Sequence, residues 1–242
     1  MIVKTHAIVL NRIPYSDSAF IVHLFTAQLG RQAVMVKGSR NRNSRMRIAL
    51  FQPLALIECE IDFKETRSLH SLREVNIEKP FQQLNSDMAR CSVALFVCEV
   101  LMRSIREEGP QEDLFGFLHR MVLHLDNSSQ SVANFPLFFA LKLLPYLGFK
   151  PGDNYSEHTP FFNIREGLFM PVFTTDSDTV SLEESQILYR MMQTDENNYW
   201  QLPLLRNQRS LLTQKISDYY AIHLANFGGL KSLPVLHDVF NL

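Results

Sequence analysis

The chain has 242 residues, with 24 Lys and Arg against 25 Asp and Glu, 46% hydrophobic residues and 18 Phe, so it holds ample apolar material for a buried core and is too apolar for intrinsic disorder. The first ten residues lack the apolar run of about 7 to 15 residues that a secretory signal needs, and the apolar stretch Phe135 to Phe149 is broken by Pro136, Lys142 and Pro145, short of the roughly 18 residues of a membrane span. Three cysteines, Cys59, Cys91 and Cys98, form no C-x-x-C pair and are odd in number, which leaves no disulfide framework or cysteine zinc site and points to a reducing cytoplasm.

The near-zero total charge hides a division. Residues 1–80 carry 12 Lys and Arg against 7 Asp and Glu, whereas residues 81–242 carry 12 against 18. Patterning changes at the same place, from short β-type runs to helical periodicity, so two domains are expected, 1–80 and 81–242.

In the first, Ile2 to Ile13, Ala19 to Thr26 and Gln32 to Lys37 are rich in Val, Ile and Phe and separated by turn clusters at Pro14 to Ser18 and Gln28 to Arg31. From Leu54 to Phe63 the alternation puts Ile57, Cys59, Ile61 and Phe63 on one face and Glu58, Glu60 and Asp62 on the other, which makes Cys59 a core residue. With Leu69 to Ile77 this makes five short strands, and an OB-fold barrel is the leading candidate.

The second domain opens with a helix whose stripe reads Leu84, Met88, Cys91, Leu95, Cys98, Met102 and Ile105, capped by Asn85 or Ser86. Helices follow over Gln111 to Asp126 and Val132 to Leu147, the latter ended by Gly148. A small hairpin turns at Gly167 between Phe161 and Met170. Ser181 and Glu184 form a capping box for Leu182 to Met192, Leu211 to Tyr220 mark a long helix, and a last one starts near Ser232. The fold class is therefore α+β: a five-stranded OB barrel followed by a mainly helical domain with a small β-hairpin insertion.

The catalytic inventory is thin. No G-x-S-x-G, Walker A, G-x-G-x-x-G or H-E-x-x-H pattern occurs. His119 and His124, five apart on a helix, diverge by about 140°, and His237-Asp238 has no further ligand cluster near it. Asp176, Asp178, Glu183 and Glu184 lack the spacing of a calcium loop and read as helix N-terminal acids. Met191-Met192 and Phe135 to Phe139 read as helical core. No catalytic residue, metal ligand or cofactor is expected.

One segment stands apart. Arg31, Lys37, Arg40, Arg42, Arg45 and Arg47 fall within seventeen residues with no acid, interspersed with Gly, Ser and Asn. Arg offers a charged fork to phosphate, Ser and Asn neutral hydrogen bonds, and Gly38 close backbone approach. Six cations without a counter-ion repel one another unless something anionic binds. Two readings stand: a DNA-binding protein, or an OB-fold interaction adaptor that binds acidic protein tails with incidental DNA contact. Of Tyr15, Phe20, Phe25 and Phe51, only Tyr15 lies in a polar turn and is a surface candidate for base stacking.

The segments Arg12-Ile-Pro-Tyr-Ser-Asp-Ser18, Leu29-Gly30-Arg31, Val36-Lys-Gly-Ser-Arg40, Leu50-Phe-Gln-Pro53 and Ser71-Leu-Arg-Glu74, with Leu144-Pro-Tyr-Leu-Gly-Phe149 further on, resemble the RecO family of bacterial recombination mediators. The resemblance implies an OB domain that binds single- and double-stranded DNA through Arg31, Lys37, Arg40, Arg42, Arg45 and Arg47. It also implies annealing of complementary strands, work with RecR and the single-strand-binding protein SSB to load RecA, and a place in the cytoplasm at the nucleoid. Many family members carry a four-cysteine zinc module, but Asp153 to Val172 contains no cysteine. Zinc is not expected, and Phe161, Phe162, Leu168 and Phe169 must hold the hairpin. The family receives the acidic, hydrophobic SSB C-terminal tail beside basic side chains of the helical domain. Here Leu137 and Phe138 stand where cations are expected, leaving Lys142, with Phe138 one turn before it, as the candidate contact.

Overall fold

A computed structural model describes residues 1–16, 19–37, 49–106, 109–175 and 178–241. Strands β1 (Ile2–Ser16), β2 (Ala19–Thr26), β3 (Gly30–Lys37), β4 (Leu56–Asp62) and β5 (His70–Ile77) form a closed barrel in the order β1-β2-β3-β5-β4, with β4 paired back to β1. All pairings are antiparallel except β3 with β5, which is parallel and spans only Val34↔His70 and Met35↔Ser71. Five strands closed in this order make an OB-type barrel.

The period-two pattern explains the closure. Ile57, Cys59 and Ile61 of β4 point inward to Val22, Leu24 and Val34, while Glu58, Glu60 and Asp62 face out. Cys59 is in this core as expected, and burial pushes its thiol pKa up to about 12. β1 runs further than the turn cluster at Pro14 suggests: Pro14 is inside the strand, opposite Phe20, beside a break in register between Pro14 and Ser16. A bulge accommodates a residue that cannot donate to a ladder. The β2–β3 turn closes on Gly30 at φ 64°, where the Thr26 hydroxyl donates to the Gly30 carbonyl and accepts from the Leu29 N–H.

The chain divides into two compact units, residues 1–85 with 105–126, and residues 86–104 with 127–242. In the sequence-ordered helices, α1 (Met88–Ser104) thus belongs to the second unit and α2 (Glu112–Asn127) to the first, apart from its last residue. Phe115 of α2 lies 6.1 Å from Phe25, and His119 meets Glu78 at 2.7 Å while Glu78 also meets His6 at 2.9 Å. Asp126, fully buried, accepts the N–H groups of Gln82, Gln83 and Leu84.

Helix α1 corrects the expected stripe. Leu84, Cys98 and Ile105 are buried as expected, but Met88 and Leu95 are 68% and 49% exposed, and the buried face of the helix also takes in Val93, Phe96, Val97, Val100 and Leu101. Apolar residues occur nearly all round this helix, so periodicity alone does not select a face. Its first turn is capped by Asp87, whose carboxylate accepts from the Arg90 N–H, rather than by Asn85 or Ser86. The Glu99 carboxylate accepts the N–H groups of Lys231 and Ser232, seating the start of α6 (Ser232–Asn241) on α1.

Helix α3 (Phe135–Leu143) is apolar on every side but Lys142 and continues as a 3-10 turn to Leu147, where Gly148 at φ 86° ends it. Strands β6 (Phe161–Asn163) and β7 (Leu168–Met170) form the hairpin, with Phe162 and Phe169 on its buried face. Helix α4 (Leu182–Met192) begins at the expected cap, Ser181, and α5 (Arg206–His223) buries Leu212, Ile216, Tyr219 and Tyr220. Leu211 faces solvent instead.

Candidate nucleic-acid interface

Alternation in β3 buries Val34 and Val36 and turns Arg31, Ala33, Met35 and Lys37 outward. Their β2 partners His23, Ile21 and Ala19, and beyond them Asn11 and Ile13 of β1, extend this face, while Phe25, opposite Arg31, is buried against Phe115. Tyr15, 61% exposed, and Ile13, 44% exposed, leave apolar surface open on β1, whereas Phe25 and Phe51 are core and Phe20 meets Phe51 edge-on. Arg12 lies over the Phe20 ring at 5.9 Å. The β2–β3 face is the one on which OB barrels take up oligonucleotides.

The predicted cations fall into three groups. Lys37, exposed, ends β3 at the point where the arginine-rich segment starts. Arg31 is partly committed, because its guanidinium donates to the Ile105 carbonyl at 2.7 Å, tying β3 to the stretch that leads into α2. Arg40, Arg42, Arg45 and Arg47 lie outside the described residues. His23 was not singled out by sequence. Burial, and then the Arg31 charge, lower its pKa, so the imidazole on this face is neutral at pH 7.

Past Ser71, β5 separates from β3 and leaves a cleft of about 700 Å³ lined by Met35, Lys37, Leu50, Leu72 and Val75. Arg73 beside it pairs with Asp62 at 3.2 Å, and that bond holds the Asp62 carboxyl below its ordinary pKa.

In the helical unit, Phe138 is 1% exposed and stacks on Tyr199 at 4.5 Å. Lys142 donates to the Met192 carbonyl at 2.9 Å, and burial lowers its pKa. A separate cleft of about 320 Å³ opens between the start of α3, α5 and α6, lined by Pro136, Arg206, Arg209, Leu230, Leu236 and Phe240. Arg209 donates to the Leu204 carbonyl, and burial and then the neighbouring Arg206 charge lower its pKa. Sequence reasoning missed this site; its signal is a pair of arginines three apart at a helix start, followed by a last helix with Leu233, Leu236 and Phe240 at intervals of three and four.

The hairpin is fastened by polar side chains as well as by its phenylalanines. Asn154 bonds to both the N–H and the carbonyl of Phe169, and the Ser185 hydroxyl accepts from Phe162 and donates to Val180. Leu168 is 43% exposed and Phe161 rests on Phe173. Among the described residues, no group of three or more His, Cys, Asp or Glu is placed to hold a metal ion. No helix there is long and apolar enough to cross a membrane.

A five-stranded barrel of OB order followed by a helical domain defines the chain as an OB-fold protein. Two family models match: that described as recombination protein O N terminal over residues 1–81, and that described as recombination protein O C terminal over residues 85–234. Proteins named DNA repair protein RecO from Flavobacterium psychrophilum, Phocaeicola vulgatus and Bacteroides fragilis are 35%, 32% and 33% identical to it, each aligned over the full length of both chains. The chain belongs to the RecO family of DNA repair proteins.

Proposed function

We propose that the chain is a non-catalytic mediator of recombinational repair that acts at the nucleoid in the cytoplasm. Residues 1–80 bind single- and double-stranded DNA and anneal complementary strands, while residues 81–242 contact RecR and SSB so that RecA is loaded on SSB-coated DNA. The observation that carries this reading is the outward face of β1–β3, where Ile13, Tyr15, Ile21 and Met35 offer apolar surface beside Lys37 at the head of the arginine-rich segment. Phosphates held by cations at such a surface lose the like-charge repulsion that opposes pairing of two strands.

The test is a salt titration of a labelled single strand followed by fluorescence anisotropy. Replacing Arg40, Arg42 and Arg45 by Ala is expected to flatten the slope of log K against log salt by about 2, at roughly 0.7 per phosphate contact. An unchanged slope would reject the segment as the phosphate track.

For the acidic, hydrophobic SSB tail, the cleft at Arg206 and Arg209 is a better receptor than Lys142 and Phe138. It joins an apolar lining to the exposed Arg206 guanidinium, whereas Phe138 is buried; Arg209, like Lys142, already serves a carbonyl. Arg206→Ala is expected to reduce retention of intact SSB in a pull-down and to leave SSB lacking its tail at background. Retention of intact SSB equal to that of the native chain would return the tail to another surface.

A further inference from the structure

The barrel is closed by a short seam. Strand β5 pairs with β3 only through His70 and Ser71, yet pairs with β4 as far as Ile77. From Leu72 to Asn76, therefore, one edge of β5 has a ladder and the other has no strand beside it among the described residues. In an antiparallel pair, every second residue directs its N–H and C=O away from its partner. These groups open into the cleft of about 700 Å³ whose far wall is Met35, Val36 and Lys37. The edge is solvent-exposed, as Arg73, Glu74 and Asn76 are exposed and Leu72 and Val75 half-buried.

We propose that this seam is a docking site for an extended segment of another protein, which adds as a strand to the free edge of β5. Three features select a polypeptide. The open edge offers donors and acceptors at the strand repeat of about 3.3 Å per residue, which a peptide backbone matches and a nucleic-acid backbone does not. The floor is aliphatic, from Met35, Leu50, Leu72 and Val75, and among the described residues no aromatic ring on which a base would stack lines it. The two strands that border the seam run parallel to each other, so a chain antiparallel to β5 is antiparallel to β3 as well. Side chains at alternate positions of that segment enter the aliphatic floor, and an acidic residue at one end meets Lys37. The site shares Met35 and Lys37 with the outward β1–β3 face assigned to DNA, so the two ligands compete at that border, and it has no residue in common with the cleft between α3, α5 and α6.

The test uses the full chain, isotopically labelled for amide exchange by NMR. The probe is a ten-residue peptide that alternates valine with threonine and ends in glutamate, supplied at up to millimolar concentration. A second peptide of the same sequence carries N-methyl groups on alternate residues and cannot complete a ladder. The expected result is at least tenfold slower exchange for those amides of Leu72–Asn76 that face away from β4, with the methylated peptide at least tenfold weaker. Four results would overturn the proposal: exchange already slow in the free protein, which means that the chain covers its own edge; equal binding of the two peptides, which means a side-chain groove without strand addition; no protection by either peptide; or protection of these amides by an oligothymidylate and not by the peptide.

Discussion

Residues 1–80 and 81–242 hold twelve Lys and Arg each, and the two sets are used differently. In the helical unit four cations turn to main-chain carbonyls, Arg90 to Ser128, Arg103 to Phe227, Arg209 to Leu204 and Lys142 to Met192, while Lys150, Arg165, Arg190, Arg206 and Lys231 are exposed. In the barrel, Lys4, Lys37, Lys64, Arg67 and Lys79 are exposed at strand ends and turns. A cation engaged by a carbonyl closes a loop or a helix end, whereas one held in water is available to a phosphate. With equal numbers of cations, the charge division between the halves comes from their acids, 7 against 18, and does not report how each cation is engaged. Arg31 and Arg73 are engaged within the barrel unit, Arg31 by the Ile105 carbonyl and Arg73 by Asp62.

The largest effect that tests the contrast between units is in α1. Leu101→Ala, at a fully buried position, is expected to cost about 3 kcal/mol, and Leu95→Ala, at a half-exposed one, to stay within about 0.5 kcal/mol. Urea unfolding with unchanged m-values measures both. Comparable losses would restore the stripe that the sequence suggests. That error has a physical origin: MARCSVALFVCEVLMRS is apolar on several faces, so a period of 3.6 residues fits more than one of them. The barrel was readable because its strands alternate strictly, as from Ile57 to Ile61, and the Ser181 cap was readable because capping is local in sequence. Arg31's commitment was not readable, as its acceptor lies 74 residues away. Nor was the cleft at Arg206 and Arg209, which three separated segments assemble.

Next in size is Asp126, a carboxylate at the wrong end of a helix for the macrodipole, tolerated because three backbone N–H groups converge on it. Burial pushes its pKa up, but those bonds outweigh burial and hold it below the ordinary aspartate value. Its stabilising contribution is thus complete above the unfolded value, about pH 4, and is lost as pH falls through the lower folded value. Asp126→Asn is expected to cost about 2 kcal/mol at pH 7. Its unfolding free energy should converge on that of the native chain as the pH is lowered through this range. A constant gap between the two, followed by denaturant titration at each pH, would mean that the charge is not what the three N–H groups recognise.

The smallest effects decide what Arg31 and Lys37 do, since one β-strand turns both outward and only Arg31 is bonded to a carbonyl. A cation that contributes to the phosphate track alone should change DNA binding and not stability. Lys37→Ala is expected to lower the salt slope for single strands by about 0.7 and leave the unfolding free energy within about 0.5 kcal/mol. Arg31→Ala removes a charged hydrogen bond as well, and is expected to cost about 1.5 kcal/mol in stability. Arg31→Lys separates the two roles further, because an ammonium retains the charge that a phosphate senses but not the planar fork that reaches the Ile105 carbonyl. If the Lys variant keeps the native salt slope while losing stability, Arg31 serves both DNA and the fold. If slope and stability fall together, the Ile105 bond is what holds β3 in the position from which it meets DNA.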